Sequence, residues 1–215
     1  MRNRIAANPA AFPFDAKKAA EVAAFFLLKA RERDASITVL KLMKLMYLAE
    51  RKSYQQYGTP IVGDDLLSMA HGPVLSNTLN LINSAPEERQ GGDHWDALIA
   101  ERDSGKYMCL QPDARINDAR INSTDDLLQL SDADVEILEL VWDEFGNFSA
   151  HKLRDYTHDH ANCPEWEDQN GSSIPISMSV MLESMGYSPD AIQAICSNLQ
   201  QMASTSAILK PQVVF

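Results

Sequence analysis

The stretch from Thr38 to Tyr57 constrains this chain more than any other. Leu40, Met43, Met46 and Tyr47, together with Leu42, Leu45 and Leu48, cover most of a helical circumference, and Lys41, Lys44, Arg51 and Lys52 mark its one wet side. A helix apolar nearly all round must be surrounded by other elements. This spacing predicts a central helix, opened by Ser36 or Thr38 and stopped by Gly58 in the left-handed conformation. The rest of the chain has to wrap it.

The flanking pattern supplies the wrapping. Asp15 can cap a helix reaching about Arg31, with Val22, Phe25 and Phe26 at helical spacing. Pro60, Gly63 and the Asp64–Asp65 pair are turn chemistry, and Leu66 to Ala70 reads as a short extended piece. In His71-Gly72-Pro73-Val74 the proline pushes Gly72 to extended geometry and suits the first turn of a helix carrying Val74, Thr78, Leu79 and Ile82. Residues 85–130 are the least regular: Trp95 to Arg102 reads as a short helix, Tyr107 to Leu110 as a strand, and the repeated Ala-Arg-Ile-Asn at 114–117 and 119–122 as a strand end and a turn. Ser131 and Asp134 form a capping-box pattern before Val135, Leu138, Val141, Trp142 and Phe145. Ser149 caps a helix to about His160, a short helix spans 177–185, and Ser188-Pro189-Asp190 opens the last one. The expectation is a mainly α fold: a single compact multi-helix domain over 15–203 with a minor short β-strand component, an N-terminal arm (1–14) and a C-terminal tail (204–215).

Composition limits function. Among 215 residues, 30 are acidic and 19 basic, a net charge of −11. The first 60 residues carry 11 basic and 5 acidic groups, the remainder 8 and 25. Neutralising phosphates needs clustered cations, so nucleic acid is disfavoured as a partner, and a regulator of phage or mobile-element origin would have only the basic N-terminal stretch to bind with. An acidic face can instead steer a basic partner, or simply be a solvated surface. The 3 cysteines show no Cys-x-x-Cys pair and fit a reducing compartment. The longest strongly apolar run, Val22 to Leu28, is far short of a membrane span. The expected location is cytoplasmic, with no membrane association.

Chemistry-bearing patterns are sparse. His151, Asp155 and His158 fall at i, i+4 and i+7, one helix face that could hold a transition metal for a metal-dependent hydrolase. Structural roles for the same residues are the alternative. Cys163 near His160 lacks an orienting group. Neither phosphate-binding glycine loops nor a nucleophile elbow is present. The reading is therefore not an enzyme, with no catalytic residue, no cofactor and no metal required. Lys41, Lys44 and Arg51 read as a solvated basic stripe or a docking surface. The His71 corner reads as a tight turn or a recognition loop.

The order of these pieces resembles a known family. Ile37 to Ala49, Tyr57-Gly58-Thr59-Pro60-Ile61, His71-Gly72-Pro73-Val74, and Leu153 to Thr157-His158 with Pro164-Glu165-Trp166 are together similar to the Panacea domain of the SocA-like antitoxins, over about residues 17–200. The sequence departs from the family pattern in having Leu79 in place of an aromatic and Glu165 between Pro164 and Trp166. The resemblance implies a mainly helical domain that binds and neutralises a cognate toxin protein encoded by a neighbouring gene. It also implies that some members present the toxin to a ClpXP-type protease. On that reading Lys41, Lys44 and Tyr47 flank the partner surface, His71, Gly72, Pro73 and Val74 fix a loop against it, and His158 and Trp166 contribute contacts, Trp166 as an anchor or as plain core.

Overall fold

A computed structural model describes residues 13–209 apart from 90, 103–104 and 169–170. Most of the expected N-terminal arm and the end of the tail lie outside the described residues. The first helix, α1 (Ala16–Arg31), is capped by Asp15, whose carboxylate accepts from the Lys18 amide. A two-residue strand, β1 (Ile37–Thr38), leads into α2 (Val39–Tyr57). Thr38 is the cap, accepting from the Lys41 amide, and Gly58 stops the helix at φ +67°. Residues Leu42 to Glu50 of α2 are buried without interruption. The central helix is thus the axis the sequence calls for.

Around it stand β2 (Leu66–Met69), β3 (Gly72–Leu75), α3 (Ser76–Asn83), α4 (Asp93–Leu98), β4 (Ile99–Arg102), β5 (Tyr107–Leu110), β6 (Arg115–Ile116) and β7 (Ala119–Arg120). The second half supplies α5 (Asp132–Phe145), α6 (Ala150–His158), β8 (Ile174–Pro175), α7 (Met178–Ser184) and α8 (Pro189–Leu209). Helices α1, α5 and α6 pack on α2, and α4 packs on α1. One small antiparallel sheet has the order β1-β5-β4, a second β3-β2-β8, and β6 and β7 form a separate hairpin. The architecture is mainly helical, with a minor strand component.

Several local expectations are corrected. Pro73 and Val74 do not open a helix: they lie in β3, paired with Ser68 and Leu67 of β2, and α3 starts only at Ser76. The reason is that Asp64 holds the amides of Asn77 and Thr78, which fixes the helix start there. Gly72 is not simply extended but sits at φ +93°. The segment from Trp95 to Arg102 is split, with α4 ending at Leu98 and the remainder pairing with β5. The Ala-Arg-Ile-Asn copies pair with each other through a turn at Asn117 and Asp118, both at positive φ. Helix α8 continues past Ser204 to Leu209.

Glu50 shows how α2 disciplines a loop. Its buried carboxylate accepts the amides of Ile61, Val62 and Gly63 at 2.9, 3.1 and 3.0 Å. Burial pushes its pKa from the ordinary 4.5 up to about 7, against the pull of those three amides. A carboxyl raised in this way is bound to its proton more tightly folded than unfolded, so it makes stability fall as pH rises across that interval. Comparing urea unfolding of wild type with Glu50→Gln should show the wild type losing ground by up to about 1.4 kcal/mol per pH unit between about pH 4.5 and 7, with a flat difference above. A pH-independent difference would remove this role for Glu50.

Candidate functional site

The residues singled out in α2, the His71 corner and the 158–166 segment do converge, but mostly inside the protein. The notion of a solvated basic stripe on α2 is corrected. Lys41 is half-buried, donates its Nζ to the Gly146 carbonyl at 2.7 Å at the end of α5, and lies over the Trp142 ring. Lys44 is fully buried and donates to the Pro73 carbonyl at 2.7 Å. Arg51 meets Glu165 at 2.7 Å. Three cations that read as one wet side of a helix each turn to a different acceptor, because neighbouring elements close over them. Their long stems let the head groups reach those acceptors.

Tyr47 is likewise enclosed. Its hydroxyl donates to Glu165 Oε1 at 2.5 Å, and Arg51 Nε donates to the same oxygen. The Glu165 side chain has no solvent exposure. Burial and this carboxylate hold the Tyr47 phenol well above its ordinary range, so it remains a donor. The residue that departs from the family pattern is therefore the acceptor that fixes the 159–167 loop to α2. The sequence reading missed this role, and the one signal was its position between Pro164 and Trp166 where the family pattern has no residue.

Trp166 is buried, stacks on His158 with ring centroids 4.1 Å apart and planes 7° apart, and donates its indole N–H to the Met69 carbonyl at 3.0 Å. It is an internal support for the tip of the β2–β3 hairpin. Gly72 turns that hairpin. A Cβ on Gly72 would stand 2.7 Å from Lys44 Nζ and 2.9 Å from His158 Nε2, so the backbone of this corner is laid directly on the two nitrogens. His158 Nε2 is buried without a hydrogen-bond partner. Desolvation first, and then the charges of Lys44 and Arg154, lower the His158 pKa, against the His71 backbone and Asp155. Burial brings Lys44 down to about 7, with Cys163 pulling weakly the other way. Cys163 itself is pushed up to about 12 by burial and by Glu165, so it stands as a neutral thiol. Gly72, Pro73 and Val74 are buried, and His71 alone of the corner is exposed.

The metal-binding alternative is not assembled. His151 is exposed, Asp155 is tied to its neighbour Arg154 at 2.6 Å, and His158 faces Trp166. Among the described residues, no group of three or more His, Cys, Asp or Glu side chains is placed to hold a metal ion. Nor is any helix among the described residues long and apolar enough to cross a membrane.

The arrangement is that of a helical scaffold with a rigidly supported surface corner. The family model for the SocA-like antitoxins, the Panacea domain, matches residues 42–167. The chain belongs to this family. The matched segment runs from α2 through Glu167 and so contains the whole Lys44–Gly72–His158–Trp166 cluster, while α1, α7 and α8 lie outside it. Comparison with curated proteins and with solved structures gives no match.

The Gly72 contact is testable. Both the positive φ and the approach to Lys44 oppose any side chain, so Gly72→Ala should lower unfolding free energy by about 2–3 kcal/mol in urea titration. A loss under about 0.5 kcal/mol would show that the corner has room to shift.

Proposed function

We propose that this chain is an antitoxin that neutralises a cognate toxin protein by direct, non-catalytic binding, in the cytoplasm. The observation that carries the reading is the family match over residues 42–167. Two features of the chain support it. The corner is over-determined from beneath by Lys44, His158 and Trp166, which suits a recognition element that must keep its shape. The acidic balance beyond residue 60 suits a basic partner, by steering encounter.

On this reading the contact is made by exposed His71 and by exposed His160, whose ring centroid lies 6.1 Å from that of Trp166. Lys41, Lys44, Tyr47, Gly72, Pro73, Val74, His158 and Trp166 act as the frame behind it. The single domain spans 15–203 with flanking arm and tail. Neutralisation proceeds by occupying the toxin, and delivery to a ClpXP-type protease is a further step open to the same complex.

Expression of the adjacent reading frame, alone and together with this chain, tests the proposal. The neighbour should arrest growth alone, be harmless with this chain present, and co-purify with it. His71→Arg, which sets a like charge against a basic partner, should weaken co-purification at least tenfold while leaving the melting temperature within about 1 °C, since the site is exposed. A neighbour that is harmless alone would overturn the reading. Toxin that vanishes from rescued cells, and reappears when the protease is deleted, would mark delivery rather than occupation.

A further inference from the structure

Lys44 and His158 form a chemically unusual pair beneath the hairpin turn. Lys44 has no solvent exposure, yet among the described residues its hydrogen bond goes to the carbonyl of Pro73 and not to a carboxylate. His158 Nε2 is buried and unpartnered. Both nitrogens press on the same small volume at Gly72 Cα. Two groups able to carry positive charge therefore sit together beneath one backbone turn.

The described groups facing this spot offer little compensation beyond the His71 backbone and Asp155, which favour the charged form of His158 but are outweighed by its burial and the nearby cations. From α2, Tyr47 and Arg51 are both committed to Glu165. From α6, Asp155 is paired with Arg154. From the 159–167 loop, Asp159 accepts the amide of Ala161, Glu165 is taken up by Tyr47 and Arg51, and Cys163 is a neutral thiol. The hairpin contributes the exposed His71 side chain and the His71 backbone, which hydrogen-bonds His158, and β8 contributes no titratable group. A proton taken up by Lys44 in the closed structure adds a charge with a single carbonyl for its three donors.

We infer that the His71 corner is a proton-gated latch: it lies closed on the buried Lys44 and His158 nitrogens, and proton uptake there releases the β2–β3 hairpin from α2 and α6. Opening moves Gly72 and Pro73 away, hydrates both nitrogens, and withdraws the fixed presentation of His71. The latch belongs to the free protein and does not depend on the toxin-binding reading. Its direction comes from linkage. The open state holds Lys44 near its ordinary value of 10.5 and the closed state near 7, so the open state binds more protons between those limits. Closure is favoured as pH rises through that window.

Hydrogen exchange of the full-length protein, read by mass spectrometry from pH 6 to 9 and corrected for the intrinsic chemical rate, tests this. Opening of segment 66–75 should increase about tenfold per pH unit from 9 down to 7. Segment 132–145, on α5, should open far more rarely than 66–75 at every pH, since global unfolding hydrates Lys44 too and carries the same proton linkage. Lys44→Met should abolish the slope, and His158→Gln should retain it above pH 7 while losing the further rise below about 6.5. Equal extents of opening in the two segments, or a slope that survives in Lys44→Met, would overturn the latch. If Lys44→Met does not fold, the two-segment comparison in wild type decides alone.

Discussion

Helix α2 is buried along nine consecutive residues, Leu42 to Glu50, and two of those nine are charged-type side chains. A helix in that position cannot send its polar groups to water, so each has to find a partner inside. Lys44 takes the Pro73 carbonyl, Tyr47 takes Glu165, and Glu50 takes three loop amides. Each of these partners lies on a segment outside the helix. The burial of one helix therefore dictates where the β2–β3 hairpin, the 159–167 loop and the 61–63 turn must sit.

Removing one polar group from α2 is not equivalent to removing a surface contact. It strands a buried acceptor or donor and also frees a segment. Glu50 and Asp64 illustrate a division of labour along one loop. Glu50 holds its start by the amides of residues 61–63, and Asp64 ties it to the first turn of α3 by the amides and side chains of Asn77 and Thr78. The approach to the hairpin and the exit from it are thus both anchored. That is why Pro73 can lie in a strand even though its position after a glycine reads as a helix start.

The helical frame was legible because caps and periodicity are local. Asp15, Thr38, Ser131 and Ser149 all accept from an amide three residues on, as their sequence positions imply. What failed was the environment of polar residues on those helices. Lys41, Lys44 and Arg51 share a face by spacing, and spacing cannot tell that α5, the hairpin and the 159–167 loop close over that face from three directions. Trp95 to Arg102 failed for a related reason: Ile99 to Arg102 becomes strand because β5 pairs with it, a tertiary override of a helix-compatible run. Glu165 was invisible as a site residue, since a lone acid between Pro164 and Trp166 has no periodicity to reveal that it is wholly enclosed.

The same geometry changes what the family signature means. Lys44, Tyr47, Gly72, Pro73, Thr157 and Trp166 all lie inside the protein. The motifs by which the sequence resembles the Panacea domain are thus the parts that set the scaffold, and they do so by internal hydrogen bonds and one ring stack. On the proposed reading, discrimination among toxins resides in exposed positions such as His71, at the corner that Lys44, His158 and Trp166 support. On that reading a buried frame carrying an exposed contact residue separates fold from specificity, because substitution at the exposed position leaves the buried network intact.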